Sequence, residues 1–302
     1  MNIELAEVSF SYKKRRRNTK VTELPLVLDH VNVTVRSGEM LAVAGKSGSG
    51  KSTFMQLLKG FLKPSFGSML IDGIDPYAAK RPELFDRVGF IFQYPEHQLF
   101  SVTVAEDVAF GLRHSGLAPE QKHEKVKQAM NAVGLDYATY AERSPFELSG
   151  GEKRRVAIAG VIVLEPEIII LDEPTAGLDY PSRTALFAML HQLNEERGTT
   201  ILWVSHQLEE MLEHASRMLI LKDGSFIAEG TPDVLLSDRA VLDAMGWEQP
   251  AALALAQLVL DTHGIKLPHP WDVSEVAPVL LDLLQRKLKS DSEGISWPQQ
   301  AI

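Results

Sequence analysis

The sequence contains no cysteine, and this absence excludes several kinds of chemistry. No disulfide can form and no thiolate can ligate a metal, so packing must hold the fold together, as suits a reducing cytosol. The sequence also has no run of about 18 apolar residues, which is the length that a membrane-spanning helix needs. Any function at a membrane therefore requires a partner that carries the chain there.

The sequence also lacks a net positive charge, because 40 acidic residues outnumber 31 basic residues and give a net charge of -9. This balance argues against nucleic acid as the main ligand. The one strongly basic cluster is at residues 13–20. Such a run indicates either a solvated loop or a contact with anionic lipid headgroups, worth on the order of 1 kcal/mol per basic residue.

The most informative segment that is present is a glycine-rich turn of the form G-x-x-x-x-G-K-S. An apolar run at 40–44 precedes it and a helix-like segment at 54–58 follows it, which is the context of a phosphate-binding loop. Backbone N–H groups of the turn and the following helix N-terminus attract a polyphosphate, Lys51 reaches its β- and γ-phosphates, and Ser52 ligates Mg²⁺. The predicted nucleotide-binding residues are Gly45, Lys46, Ser47, Gly48, Ser49, Gly50, Lys51, Ser52 and Thr53.

Strand-like and helix-like segments alternate up to about residue 232. The apolar runs at 168–171 and 199–204 are typical of strands buried on both faces of a sheet. Helices are predicted at 149–164 and 182–196, and the alternation predicts an α/β domain with a mainly parallel sheet. Further strands are predicted at 3–8, 31–35, 68–71 and 88–93.

The pattern changes after residue 232, where no strong strand signal remains. A helix is predicted at 251–262, with Gly264 as its stop signal. A second helix is predicted with Ser274 as its N-cap, which leaves Pro278 in the first turn, where its missing N–H costs little.

Two carboxylates, Asp172 and Glu173, follow a predicted buried strand, at the sheet edge where ligands of open α/β sheets bind. We expect Asp172 to hold Mg²⁺ beside Ser52, and Glu173 to polarise the water that attacks the γ-phosphate. Gln93 and His206 also follow predicted strands and could reach the same phosphate, Gln93 through the metal or water and His206 directly. A single glutamine or histidine at such a position is more often a core or turn residue. The predictions for Gln93 and His206 therefore depend on their occurrence together with the glycine-rich turn and the Asp172–Glu173 pair.

A second anion site is predicted where a serine N-cap precedes two glycines, at Ser149, Gly150 and Gly151. The sheet that carries the phosphate loop cannot also bring this motif to the same phosphate within one chain. The economical solution is a head-to-tail dimer, in which each serine–glycine motif covers the nucleotide of the partner.

In this order, the motifs of residues 3–232 resemble those of the ATP-binding cassette (ABC) ATPases. The resemblance implies a P-loop NTPase fold with a mainly parallel sheet core, an antiparallel β subdomain and a helical subdomain at about 95–165. The nucleotide-binding domain is then residues 1–235, and residues 236–302 form a helical extension that adds to the dimer contact. The intact motifs imply an active ATPase.

The same resemblance implies roles for individual residues. Tyr12 stacks on adenine, and Asp179 links the two active sites of the dimer. Ser149 and Gly151 grip the γ-phosphate held by the partner, and His206 senses that phosphate.

The segment after Gln93 is similar to that of the energy-coupling factor (ECF) importer ATPases, which carry a short helix with a Pro-(Asp/Glu)-x-Gln core. Residues 104–111 and 155–160 also resemble this group, which implies a complex at the cytoplasmic face of the membrane. Its members are two ATPases, a transmembrane coupling subunit and a membrane-embedded binding protein for a vitamin or metal ion. The residues implied to lie near the coupling subunit are Pro95, Glu96, His97 and Gln98.

Several alternatives remain open at the level of the sequence. The ATPase pair is either a homodimer or a heterodimer with a related ATPase, and Leu99 and Phe100 resemble the second of two paired ATPases. The chain could also serve another ABC importer or exporter. A soluble ABC ATPase of repair or translation is disfavoured, because no heptad run separates Lys51 from Asp172 and only one cassette is present.

Overall fold

A computed structural model describes residues 1–13, 25–267, 269 and 271–293. Apart from Lys13, the basic cluster at 13–20 lies outside the described residues, so its two interpretations stay predictions. The chain divides into two compact units, Met1–Leu235 and Leu236–Ile302.

Strands occur only in the first unit of the described chain. Their bounds are β1 (Ile3–Phe10), β2 (Leu28–Val35), β3 (Met40–Gly45), β4 (Phe66–Ile71), β5 (Val88–Ile91), β6 (Ile168–Asp172), β7 (Thr200–Val204), β8 (Arg217–Lys222) and β9 (Ser225–Gly230).

Helices are found in both units. Their bounds are α1 (Lys51–Leu58), α2 (Val104–Ala109), α3 (Pro119–Ala132), α4 (Tyr137–Tyr140), α5 (Gly150–Ile162), α6 (Tyr180–Arg197), α7 (Leu208–His214), α8 (Pro232–Leu235), α9 (Arg239–Met245), α10 (Ala251–His263) and α11 (Val273–Glu293).

The core of the first unit is a six-stranded sheet with the order β5-β6-β7-β3-β8-β9. The pairs from β5 to β8 are parallel, and only β9 is antiparallel to its neighbour. All residues of β3, β5 and β7 are buried, because helices cover both faces of a parallel sheet and favour continuous apolar runs. The carboxyl ends of β3, β5, β6 and β7 therefore meet at one edge.

A second sheet, with the order β2-β1-β4, is antiparallel throughout. Strand β1, in the middle of this sheet, buries Ile3 and Leu5 and exposes Glu4 between them, as expected for a sheet with one solvated face. The two sheets together confirm the predicted mainly parallel core with an antiparallel β subdomain.

The connection from β5 to β6 is helical. It starts with a short 3-10 helix, Pro95–Gln98, and continues through α2, α3 and α4 to α5. Thr103 caps α2 and Ser149 caps α5, each in a reciprocal pair of hydrogen bonds with the glutamate three residues later. The cap at Ser149 is the one that the sequence predicts.

The second unit is helical in its described residues. Helix α10 ends at His263, and Gly264 caps it with a φ of 67°, as the stop signal predicts. The predicted N-cap at Ser274 is wrong, because the carbonyl of Asp272 already accepts the first helical hydrogen bond, from Val276 at 3.0 Å. Helix α11 therefore starts at Val273 and Pro278 lies beyond its first turn.

The helices α10 and α11 share a small apolar cluster. Its buried members are Val259, Leu267 and Val276. Other leucines of these helices stay exposed, including Leu258, Leu281 and Leu284 at 57 to 58%. The second unit thus has an apolar core of its own and an apolar outer surface.

Candidate nucleotide-binding site

The glycine-rich turn connects the end of β3 with the start of α1. Gly48 and Gly50 adopt φ values of 80° and 106°, which glycine reaches without the steric cost that a side chain brings. A side chain at Gly45 is also excluded, because its Cβ would lie 2.4 Å from the carbonyl oxygen of Leu221. The turn therefore needs glycine at these three positions.

Lys51 closes this turn from the inside. Its Nζ donates to the carbonyl oxygens of Gly45 at 2.7 Å and Lys46 at 2.9 Å. Burial lowers the pKa of Lys51, while the nearby carboxylates of Glu173 and Asp172 oppose that shift. Helix α1 has no side-chain cap, since its N-cap is Gly50. A buried cation and uncapped helical N–H groups thus lie together, which is the chemistry of an anion site.

Asp172 ends β6 beside this turn. Burial and the neighbouring Glu173 raise the pKa of its carboxyl, while Lys51 and a hydrogen bond from Ser52 lower it. The Ser52 hydroxyl thus lies near the Asp172 carboxylate. These are hard oxygen groups of the kind that Mg²⁺ prefers.

The next residue, Glu173, is the centre of a second set of contacts. Gln93 donates through Nε2 to its Oε2 at 3.0 Å, and the Nε2 of His206 lies 2.8 Å from its Oε1. Gln93 follows β5 and His206 follows β7, so the parallel strands flanking β6 deliver both side chains. Glu173 itself adopts a φ of 47°, which costs a non-glycine residue free energy and is common at functional sites.

The serine–glycine motif lies at the start of α5. Glu152 donates its backbone N–H to the Ser149 hydroxyl at 3.3 Å and accepts from the Ser149 backbone N–H at 2.8 Å. Hydrogen bonds from the Ser149 backbone N–H, the Ser149 hydroxyl and the Tyr140 hydroxyl lower the pKa of the Glu152 carboxyl to about 2. Gly150 and Gly151 are exposed and have open space where a Cβ would lie. Among the described residues, no hydrogen bond or ion pair joins this motif to the glycine-rich turn.

Two other predicted residues border the site. The hydroxyl of Tyr12 lies 3.1 Å from the Thr53 hydroxyl, and the ring is 61% exposed, so its face is accessible. Asp179 caps α6 by accepting from the backbone N–H of Ser182 at 3.0 Å. Hydrogen bonds from the Ser182 side chain and backbone lower the pKa of the Asp179 carboxyl.

The segment after Gln93 forms the predicted short helix. Pro95 is buried, Glu96 is half-buried, and His97 and Gln98 are exposed. Exposed aromatic residues flank it in the sequence, namely Phe92, Tyr94 and Phe100, and the exposed Phe61 stacks on Phe92; all four are 41 to 57% exposed. Exposed apolar surface of this kind is typical of a protein contact.

Beside the site, sequence reasoning missed the buried charged residues Arg154 and Glu210. The carboxylate of Glu210 accepts from the hydroxyls of Thr175 at 2.9 Å and Ser205 at 3.0 Å, and burial raises its pKa. It therefore joins the loops after β6 and β7. No local pattern identifies either residue, because charged residues on helices are usually solvent-exposed.

The fold and these contacts define a P-loop NTPase of the ABC type. Residues 28–176 match the family model described as ABC transporter. The energy-coupling factor transporter ATP-binding protein EcfA2 of Clostridium tetani is 45% identical over 225 residues, which are 74% of this chain and 78% of that protein. The chain therefore belongs to the ATP-binding proteins of the ABC transporter family, in their energy-coupling factor group.

Solved structures agree with this conclusion. The structure of cbiO1 from Clostridium perfringens, described as part of the ABC transporter complex cbiONQ, matches with a TM-score of 0.71 at 31% identity. The match covers 84% of this chain and 98% of the cbiO1 chain. The dimeric ATP-binding cassette MJ0796, bound to ADP and Pi, has a TM-score of 0.63 at 30% identity over 76% of this chain and 98% of its own. The predicted resemblance and fold class are thus confirmed.

Proposed function

We propose that this chain is the ATP-hydrolysing subunit of an energy-coupling factor importer. It powers the uptake of a vitamin or metal ion through a transmembrane coupling subunit. The observation that carries the proposal is the contact of Glu173 with both Gln93 and His206, next to the cation of Lys51. A base, two polar neighbours and a phosphate-binding cation are the parts that γ-phosphate hydrolysis requires.

The phosphates of ATP bind at residues 45–53. Lys51 exchanges the carbonyl oxygens that it contacts for phosphate oxygens, which bind a cation more strongly because they are charged. Tyr12 stacks on adenine, since its exposed ring adjoins Thr53 at the other end of the loop.

Ser52, Gln93 and Asp172 fit a Mg²⁺ ion. The described residues contain no cluster of three or more His, Asp or Glu side chains arranged for a metal. Mg²⁺ does not require such a cluster, because it keeps waters and binds to one or two carboxylates together with substrate phosphates. When bound, Mg²⁺ neutralises charge on the β- and γ-phosphates.

Glu173 takes the proton from the water that attacks the γ-phosphate. Its two oxygens are oriented by Gln93 and His206, so the carboxylate is fixed before the substrate arrives. His206 is 48% exposed at its side chain and can also contact the γ-phosphate.

A complete site takes Ser149, Gly150 and Gly151 from a second ATPase. The exposed glycines of this motif support this arrangement, because they leave the N–H groups at the start of α5 accessible. Asp179 then links the two sites. The pair is a homodimer or a heterodimer with a related ATPase, and residues 236–302 add to its contact through the exposed leucines of α10 and α11.

The short helix Pro95–Gln98 receives the coupling subunit. Its exposed side chains are His97 and Gln98, and the helix begins two residues after Gln93. A push on this helix is thus transmitted to the segment that orients Glu173. The chain works at the cytoplasmic face of the membrane as a peripheral subunit, and no helix among its described residues could cross a bilayer.

Lys51→Met tests the proposed ATP turnover in the full-length chain, purified with its co-purifying subunits. We expect the rate of ATP hydrolysis to fall about 100-fold or more, because the loop loses its buried cation. Lys127→Met, at an exposed position of α3, is the matched control and should keep the wild-type rate. The proposal fails if wild-type preparations do not hydrolyse ATP, or if Lys51→Met hydrolyses it at the control rate.

A further inference from the structure

Arg154 is an arginine that is only 5% exposed on the helix that begins after Ser149. Its Nη2 donates to the backbone carbonyl of Gln93 at 3.1 Å, and its Nη1 donates to the backbone carbonyl of Ala176, also at 3.1 Å. Gln93 follows β5, whereas Ala176 lies between Glu173 and Asp179. One side chain of the helical segment therefore holds two loops of the sheet edge.

A guanidinium suits this task because its N–H groups form a rigid, planar fork. The two carbonyl groups are consequently held at a fixed spacing from each other and from α5. A lysine in this place keeps the charge, but it cannot present two donors in one plane.

The charge of Arg154 is costly to bury, and burial lowers its pKa. The opposing effect comes first from Glu96, a residue of the short helix Pro95–Gln98. The Oε2 of Glu96 is buried and has no hydrogen-bond partner within the described part of the chain. Apolar packing alone would not need a cation here, so the arginine indicates a role beyond filling space.

Gln93 connects this arrangement with the proposed chemistry. Its backbone carbonyl accepts from Arg154, and its side-chain amide donates to Glu173 at 3.0 Å. A displacement of the Gln93 backbone therefore moves the group that orients the base. The hydrogen bond from Arg154 to Ala176 also fixes the proposed base, Glu173, through its backbone. Ala176 donates its own backbone N–H to the Glu173 carbonyl at 3.1 Å.

We infer that Arg154 is a positioning residue for ATP hydrolysis, which fixes Gln93 and the loop at 173–179 relative to the helix that begins after Ser149. The inference rests on the proposed function of the site. It assigns to Arg154 an effect on turnover and none on the affinity for ATP, because Arg154 contacts neither residues 45–53 nor Tyr12 among the hydrogen bonds of the described residues.

The experiment compares Arg154→Met, Arg154→Lys and the control Arg197→Met in the full-length chain with its co-purifying subunits. Arg197 is exposed at the end of α6, so its substitution removes the same charge from the surface. The measurements are kcat and KM for ATP, the Kd of a fluorescent ATP analogue, and the midpoint of thermal unfolding.

We expect Arg154→Met to lower kcat about 10- to 100-fold, because displacements on the order of 1 Å cost that much. KM and Kd should stay within about threefold of the wild type, since the phosphate loop is unaltered. Arg154→Lys should recover part of the lost turnover, and Arg197→Met should match the wild type.

Three results would overturn the inference. The first is an unchanged kcat in folded Arg154→Met, and the second is a loss of ATP affinity as large as the loss of kcat. The third applies if Arg154→Met does not fold: the test then rests on Arg154→Lys, and a kcat of that variant equal to the wild-type kcat overturns the inference. Absence of hydrolysis in the wild type would instead refute the proposed function, so the two failures are distinguishable.

Discussion

Glu173→Gln is the substitution that probes the proposed base with the smallest change of shape. The carboxylate accepts from Gln93 through one oxygen and contacts His206 through the other, at 3.0 and 2.8 Å. An amide has a single oxygen, so only one of these contacts can persist in its present form. The change also removes the negative charge that draws a proton from the attacking water.

The size of the effect follows from the loss of a general base. Such a group contributes about 10²- to 10⁴-fold to a rate, which corresponds to about 3 to 5 kcal/mol of activation free energy. Binding of ATP should remain, because Lys51 and the glycine-rich turn are unaltered. The variant should therefore collect in the ATP-bound state in which two ATPase chains are closed on each other.

The assay combines steady-state phosphate release with native mass spectrometry of the ATP-loaded complex. Glu213→Gln is the matched control, since Glu213 is 53% exposed at its side chain and lies outside the site. The assignment of Glu173 is refuted if clean Glu173→Gln retains more than about a tenth of the wild-type rate. It is also refuted if the variant no longer binds ATP, because the carboxylate would then serve binding.

Two further predictions concern stability. Burial and the neighbouring His191 lower the pKa of His214 from 6.5 to about 4. The neutral imidazole therefore adds its full share to the free energy of unfolding above pH 6.5, and this share is lost as the pH falls towards 4. His214→Phe should remove up to about 3 kcal/mol of this pH dependence between pH 6.5 and 4. The prediction is contradicted if the unfolding free energy from urea titrations changes equally between pH 7.5 and pH 5 in the wild type and in His214→Phe. Arg217 pairs with Glu39 at 3.0 Å and Glu229 at 2.8 Å with 9% of its side chain exposed. Arg217→Met should lower the free energy of unfolding by about 3 to 5 kcal/mol, because it leaves a buried carboxylate unpaired. The exposed control Arg36→Met should lower it by less than about 0.5 kcal/mol. Similar losses for the two variants in chemical denaturation would refute this prediction.

The parts of the site that the sequence predicts are those that a local pattern determines. The glycine-rich turn needs its glycines for backbone reasons, and Ser149 caps a helix through its own neighbour at Glu152. The meeting of Gln93, Glu173 and His206 was also predictable, because parallel strands end at one edge. Each of the three residues follows one of the neighbouring parallel strands β5, β6 and β7, and this strand order is enough to bring them together.

The parts that sequence reasoning missed depend on contacts between distant segments. Arg154 and Glu210 are charged residues on helices, and only the packed structure shows that both are buried against loops of the sheet edge. The wrong N-cap at Ser274 has a local cause. Asp272 is an equally good capping residue, and the sequence alone does not decide between two neighbouring caps.

Native mass spectrometry of the detergent-solubilised wild-type complex tests the central claim most directly, because it identifies every subunit in one measurement. We predict a particle with two ABC ATPase chains, a transmembrane coupling subunit and a small membrane-embedded binding protein. The two ATPases are copies of this chain, or this chain and a related one. A particle in which the ATPases accompany a pair of large permeases, or in which this chain has no membrane partner, would contradict the account.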